Sequence, residues 1–175
     1  MSAVAIVVAL VAAQRLAELA HARRNEAALR RRGGIEIGRG HYPLFALLHG
    51  AWLAALLLLV PAATPIAWPW LLLFLLLQGL RLWVMASLGA YWTTRIITLP
   101  QETLVRRGPY RFLRHPNYVI VAGEIAVLPL VFGAWRIALG FSLLNAALLA
   151  WRIRLEDRAL GPRRTLTGRP PVTSL

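Results

Sequence analysis

The chain has 175 residues and a formal net charge of +13, yet 58% of it is hydrophobic. So apolar a composition excludes a soluble basic nucleic-acid binder and a disordered basic tail, and no nucleic-acid partner is expected. All 20 basic residues are Arg, and the absence of Cys excludes disulfides, thiolate metal sites and Cys nucleophiles.

A membrane-crossing helix needs about 20 mostly apolar residues. Five stretches meet or approach that length: about Ala3–Ala20, Leu44–Ala63, Trp68–Leu88, Tyr118–Ala134 and Ile137–Trp151. The first is unbroken to Ala13 and then carries Gln14, Arg15 and Glu18. It lacks a basic n-region and a small-residue cleavage site, so it reads as a retained helix rather than a signal peptide. The third holds Gln78 and Arg81, the fourth Glu124, the fifth Asn145. The last two are short and share a turn around Gly133, Ala134 and Trp135, which reads as a tight helical hairpin. Gly161–Leu175, rich in Pro, Gly and Arg, reads as irregular.

Seventeen of the 20 Arg fall on three segments, Ala22–Gly40, Gly89–Asn117 and the tail from Arg152. The Pro61–Trp68 loop has none. The positive-inside rule then predicts an all-α integral membrane protein of about five spans, N-terminus outside and C-terminus cytoplasmic. Counting about 1.5 Å per residue from the inner helix ends puts Arg15, Arg81, Glu124 and Asn145 all roughly 8–10 Å deep. An unpaired charge at such a depth costs at least about 2.5–3.5 kcal/mol. The belt therefore reads either as an Arg81–Glu124 structural pair with a snorkelling Arg15, or as the wall of a cavity open to the cytoplasm.

The densest chemistry lies in Gly108-Pro109-Tyr110-Arg111-Phe112-Leu113-Arg114-His115-Pro116-Asn117-Tyr118. Gly108-Pro109 marks a turn. Pro116 suits the first turn of a helix, where its missing N–H is not needed. Arg114, His115 and Tyr118 are thus delivered to a helix N-terminus, whose free N–H groups and dipole favour an anionic ligand. A second cluster, Arg152-Ile153-Arg154-Leu155-Glu156-Asp157-Arg158, follows the fifth stretch, with Arg152 and Glu156 on one helical face. The hairpin returns it to the same membrane face as the first. His41 and His49 are eight apart with no carboxylate between them, so no metal site is expected.

Thr103-Leu104-Val105-Arg106-Arg107-Gly108-Pro109-Tyr110, then Arg114-His115-Pro116-Asn117-Tyr118, with Arg152 through Leu160 downstream, resembles the isoprenylcysteine carboxyl methyltransferase family. The likeness covers about residues 90–160 of what reads as a single domain, 1–175. Arg-His-Pro-x-Tyr and the later paired acids match, with Asp157 in place of a second Glu. Arg15-Leu16-Ala17-Glu18, Arg23-Arg24-Asn25, Gly33-Gly34-Ile35-Glu36, His41-Tyr42-Pro43 and His49 are similar to a bacterial subgroup found alongside type III polyketide synthases. The chain departs from the family at Ile120, where a Gly is usual, and in its C-terminal segment, which lacks the usual aromatics.

The resemblance implies an S-adenosylmethionine-dependent O-methyltransferase of the bacterial cytoplasmic membrane, its active site facing the cytoplasm. The acceptor would be lipidic, an alkylpyrone or alkylresorcinol hydroxyl or an isoprenylcysteine-like carboxylate, with membrane lipids around it and a type III polyketide synthase as functional partner. Candidate cofactor-binding residues are Leu104, Val105, Tyr110, His115, Tyr118 and Glu156. Candidate catalytic residues are Arg114 and Arg152, which orient the acceptor oxygen, and Glu124. A carboxylate acceptor needs no base, whereas a phenolic hydroxyl, with a pKa near about 10, does; His115 or Glu124 would serve. Two other readings stay open: a membrane reductase using NADPH on a lipid, and a non-enzymatic scaffold binding anionic lipid through its Arg-rich face.

Overall fold

The computed structural model describes residues 2–99 and 102–166, without the side chains of 41 and 162–166. Five helices dominate: α1 (Ala3–Arg31), α2 (Tyr42–Leu59), α3 (Trp68–Leu88), α4 (Pro116–Leu130) and α5 (Trp135–Leu166). One short antiparallel ribbon pairs β1 (Ile35–Ile37) with β2 (Ile96–Thr98), Glu36 opposite Ile97. The all-α expectation thus holds but for six ribbon residues that apolar-run counting could not reveal.

The helix starts follow ordinary chemistry. Ser2 Oγ accepts from the Ala5 amide at the head of α1. Pro69 and Pro116 sit in the first turns of α3 and α4. Arg30 and Arg31 in the last turn of α1 suit the negative end of its dipole. Beyond it the Gly34 amide returns to Leu29 O. A Cβ on Gly34 would lie 2.7 Å from that oxygen and 2.8 Å from Ile97 Cγ2, so only glycine lets the chain turn this close to β2.

α1 and α5 run past their apolar stretches. α1 has 29 residues and α5 has 32. Residues 161–166, expected to be irregular, continue α5 as helix; the remainder of that stretch, 167–175, lies outside the described residues. Four helices are long and apolar enough to cross a membrane, α1, α2, α3 and α5. α4, with 15 residues, is apolar but shorter. At about 1.5 Å per residue it falls short of a hydrocarbon core of about 30 Å.

The two ends of the bundle differ. The ribbon joins the segment after α1 to the segment after α3, both rich in Arg. At the other end the Ala67 amide, in the Arg-free loop, donates to Val131 O at the α4–α5 turn. A core of Val4, Val8, Trp52, Leu56, Phe74, Ile125 and Leu128 fills the bundle towards that end. The outer surface is as apolar as the inside, with Leu58 81% and Leu47 69% exposed. Such a surface fits lipid rather than water.

Candidate active site

The segment that carries the first motif is set by a tight contact. Gly108 has φ +57°, and a Cβ there would lie 2.0 Å from Ser87 Oγ. Arg107 Nε donates to Ser87 O at 2.6 Å, pinning the turn to the end of α3. Residues Gly108–Arg111 form one 3-10 turn, and α4 starts at Pro116. His115 and Tyr118, three apart, then stack with ring centroids 5.3 Å apart and planes at 13°.

α5 brings the second motif against them. His115 Nε2 is 3.2 Å from Asp157 Oδ1, and its Nδ1 is 3.8 Å from Glu156 Oε1. The Tyr118 hydroxyl donates to Glu156 Oε2 and accepts from Arg152 Nε at 2.7 Å. Arg152 and Glu156, one helical turn apart, are thus linked through the Tyr118 hydroxyl. Arg152 also donates to Thr94 O at 2.8 Å. Its guanidinium lies 5.4 Å from the Phe45 ring centre and 5.6 Å from that of Tyr118. Only 8% exposed, it is fixed by α2, α4 and the strand-end loop together.

The remaining motif residues are placed more loosely. Arg114 is exposed on the approach to α4. Leu104 and Val105 are half-buried in the segment between β2 and the Gly108 turn. Tyr110 is half-buried as well; burial, then the nearby charge of Glu156, push its phenol up, so it stays a hydrogen-bond donor.

Beside this cluster lies a cavity of about 400 Å³. Tyr118 and Arg152 belong to both. Its walls are mostly apolar, with Tyr42, Phe45 and Trp92 among them, and His49 lines it from α2. Arg15, Glu18 and Arg81 also reach its surface.

Those three belong to the polar belt, which is paired rather than snorkelling. Arg81 donates to both oxygens of Glu18 at 2.6 Å and to Glu124 Oε2 at 3.0 Å. Arg15 reaches Glu124 at 2.7 Å and Glu18 at 3.0 Å. Gln78 donates to Glu124 Oε1 at 2.8 Å. Two cations and two anions so close are mutually neutral, which is how charge is tolerated at this depth. Both oxygens of Glu124 are occupied and the residue is 1% exposed. It does not line the cavity; its carboxylate holds Arg15, Arg81 and Gln78. Asn145 is as buried but stands outside the network.

A second ion cluster went unread in the sequence. Glu36 on β1 pairs with Arg30, Arg39 and, at 2.6 Å, Arg95. Arg95 also reaches Glu26 on α1 at 3.6 Å. Arg32 pairs with Glu102 at 2.5 Å, and the Tyr91 hydroxyl donates to Glu102 at 2.6 Å. All seven acidic residues of the chain engage an Arg, a His or a Tyr. The signal was their scarcity: seven acids stand among 20 Arg, and at least five of them pair with one.

Comparison with known proteins places this geometry. Residues 70–162 match the profile described as the isoprenylcysteine carboxyl methyltransferase (ICMT) family. The chain belongs to the ICMT family. The matched region contains α4, both motifs and most of α5. Among curated proteins, the uncharacterized protein YpbQ of Bacillus subtilis is 41% identical over 160 residues, 89% of this chain and 95% of that one. An uncharacterized protein of Haemophilus influenzae is 28% identical over 163 residues, 89% of this chain and 93% of its own. No solved structure matches. ICMT membership, with four candidate spans, makes this a membrane protein of a methyltransferase family.

Proposed function

We propose that the protein transfers a methyl group from S-adenosylmethionine to an oxygen of a lipidic acceptor, at the cytoplasmic face of the bacterial inner membrane. The observation that supports this most is the junction of the two motifs at Tyr118 and Arg152, on the edge of a largely apolar cavity. One side of that junction is polar and acidic, the other is apolar.

The donor set fits the cofactor. Its ammonium and ribose hydroxyls suit the carboxylates of Glu156 and Asp157, half-exposed beside His115. Its carboxylate suits Arg114 and the Asn117 N–H at the head of α4. His115 and Tyr118 hold the carboxylates of Asp157 and Glu156 in place. Tyr110, Leu104 and Val105 complete this side. The bound cofactor supplies an electrophilic methyl group on a positively charged sulfur. The chain does the rest: Arg152, locked by Tyr118 and Thr94, orients the acceptor oxygen, and the cavity walls keep water away from charges that cancel as the methyl moves. Positioning of this kind is worth several kcal/mol. Glu124 contributes through Arg15 and Arg81. The exposed apolar helices let a lipid reach the cavity sideways, and a type III polyketide synthase would supply it.

Calorimetry on the protein in lipid nanodiscs tests the reading: S-adenosylmethionine should bind saturably and NADPH should not. Arg152→Ala should lower methyl transfer about 100-fold. No cofactor binding, or unchanged transfer in the variant, overturns it.

A further inference from the structure

A hydroxyl acceptor must lose a proton, and neither base expected from the sequence is free to take it. Glu124 has both oxygens bound and lies outside the cavity wall. His115 turns Nε2 to Asp157 and Nδ1 towards Glu156, and it too is absent from the wall. The cavity does hold another imidazole. His49, on α2, lines it one helical turn from Phe45, the ring beneath Arg152.

The tautomer of His49 follows from its hydrogen bond. Its Nδ1 lies 2.8 Å from Phe45 O. A carbonyl oxygen only accepts, so Nδ1 carries the proton, and in the neutral ring Nε2 carries the lone pair. Nε2 sits on the ring edge turned away from the α2 backbone and has no hydrogen-bond partner among the described residues. An edge-on contact with Trp52, centroids 6.3 Å apart, holds the ring plane. The charged groups around it come from every neighbouring helix: Arg15 from α1, Arg81 from α3 and Glu124 from α4, with Glu18 of α1 and Arg152 of α5 lining the same cavity.

We propose that His49 Nε2 is the proton acceptor for a hydroxyl-bearing acceptor, a catalytic residue that rests on the methyltransferase reading above. The acceptor O–H bond breaks with its proton passing to Nε2. The oxygen pair forms the new bond to the methyl carbon. The carbon–sulfur bond breaks with its pair left on sulfur, so the sulfonium ends as a neutral thioether. The imidazolium then gives its proton to water. A lone pair in this place suits a phenolic or enolic hydroxyl. It is idle, and mildly repulsive, towards an acceptor that arrives as a carboxylate.

Two measurements test this. The first compares His49→Gln with wild type on a 5-alkylresorcinol and on an alkyl-nitrophenol that is already ionised at the working pH. The variant should lose about 100-fold or more in kcat on the resorcinol and less than about threefold on the ionised acceptor. Equal losses on both would make His49 a packing residue, and no loss on the resorcinol would dismiss it; either result overturns the proposal. The second needs no methyl donor and no variant activity. The chain has four His, so ¹⁵N-His spectra of wild type are simple, and the signal missing in His49→Gln identifies His49. It should show Nδ1–H and a bare Nε2, and the Nε2 resonance should move when the 5-alkylresorcinol is added alone. An Nε2–H tautomer, or an Nε2 resonance unmoved at saturation, overturns the proposal. If wild type binds no S-adenosylmethionine, the underlying reading fails with it. If it does bind, and His49→Gln still methylates resorcinol fully, only the role of His49 fails.

Discussion

At the scale of single residues, charge neutrality inside the bundle decides what can be removed. Arg81 faces two carboxylates, with three hydrogen bonds of 2.6, 2.6 and 3.0 Å. Arg81→Met keeps the length of the side chain but leaves Glu18 without its bidentate partner. Losing one member of a buried pair costs about 3–5 kcal/mol. The variant should unfold at markedly lower temperature in detergent, and Glu18→Gln added to it should recover part of the loss. Equal stability of Arg81→Met and wild type would show that water, not Arg81, solvates these carboxylates. The need for such pairing was legible from the depth of Arg15, Arg81 and Glu124. The place of Glu18 was not, because a hydropathy run does not say which way α1 is rotated about its axis, and rotation alone turns Glu18 to Arg81.

At the scale of elements, what could be read and what could not divide along local and non-local lines. The first turn of α4 and the Gly108-Pro109 turn rest on local chemistry, and both lie where that chemistry puts them. The continuation of α1 to Arg31 is also local, since His21–Arg31 is rich in good helix formers, but the loss of hydropathy at Ala20 masked it. The ribbon is different. Three residues on each strand carry too little pattern, and their pairing depends on α1 and α3 ending side by side. Its clamp is Glu36, whose side chain is 3% exposed between Arg30 and Arg95. Burial works to raise this carboxyl, but the hydrogen bonds from Arg95 and Arg30 outweigh it and hold it below the usual carboxylate range. A carboxyl depressed in the folded state stabilises fully above its ordinary pKa, about 4.5, and loses that contribution as pH falls through the lower folded value. Amide exchange at 35–37 and 96–98, corrected for its intrinsic pH dependence, should therefore lose protection below pH 4.5. In Glu36→Gln protection should be weak at every pH. A pH response that persists in the variant would assign it to another group.

At the scale of the whole molecule, the same arginines that select the motif face also predict which way the protein sits. The ribbon, the Gly108 turn and the far part of α5 share one end of the bundle, and the Ala67–Val131 bond marks the other. Sixteen of the 20 Arg lie on described segments of the first end, so the positive-inside rule predicts that this end faces the cytoplasm. α4 is the element that strains this arrangement. Its 15 residues are too few to cross alone, yet the predicted orientation, N-terminus outside and C-terminus inside, needs an odd number of crossings. α4 resolves this if it crosses enclosed by its neighbours: eight of its residues are buried, and a helix shielded from lipid need not match the hydrocarbon thickness. The absence of Cys makes the question direct, because single cysteines can be introduced with no background. In intact cells, a membrane-impermeant maleimide should label Thr64→Cys, in the Arg-free loop. It should label Arg31→Cys and Arg158→Cys only after the cells are opened. Labelling of Arg158→Cys in intact cells, with Arg31→Cys protected, would mean that α4 does not cross and that the two motifs could not meet as they do at Tyr118 and Arg152.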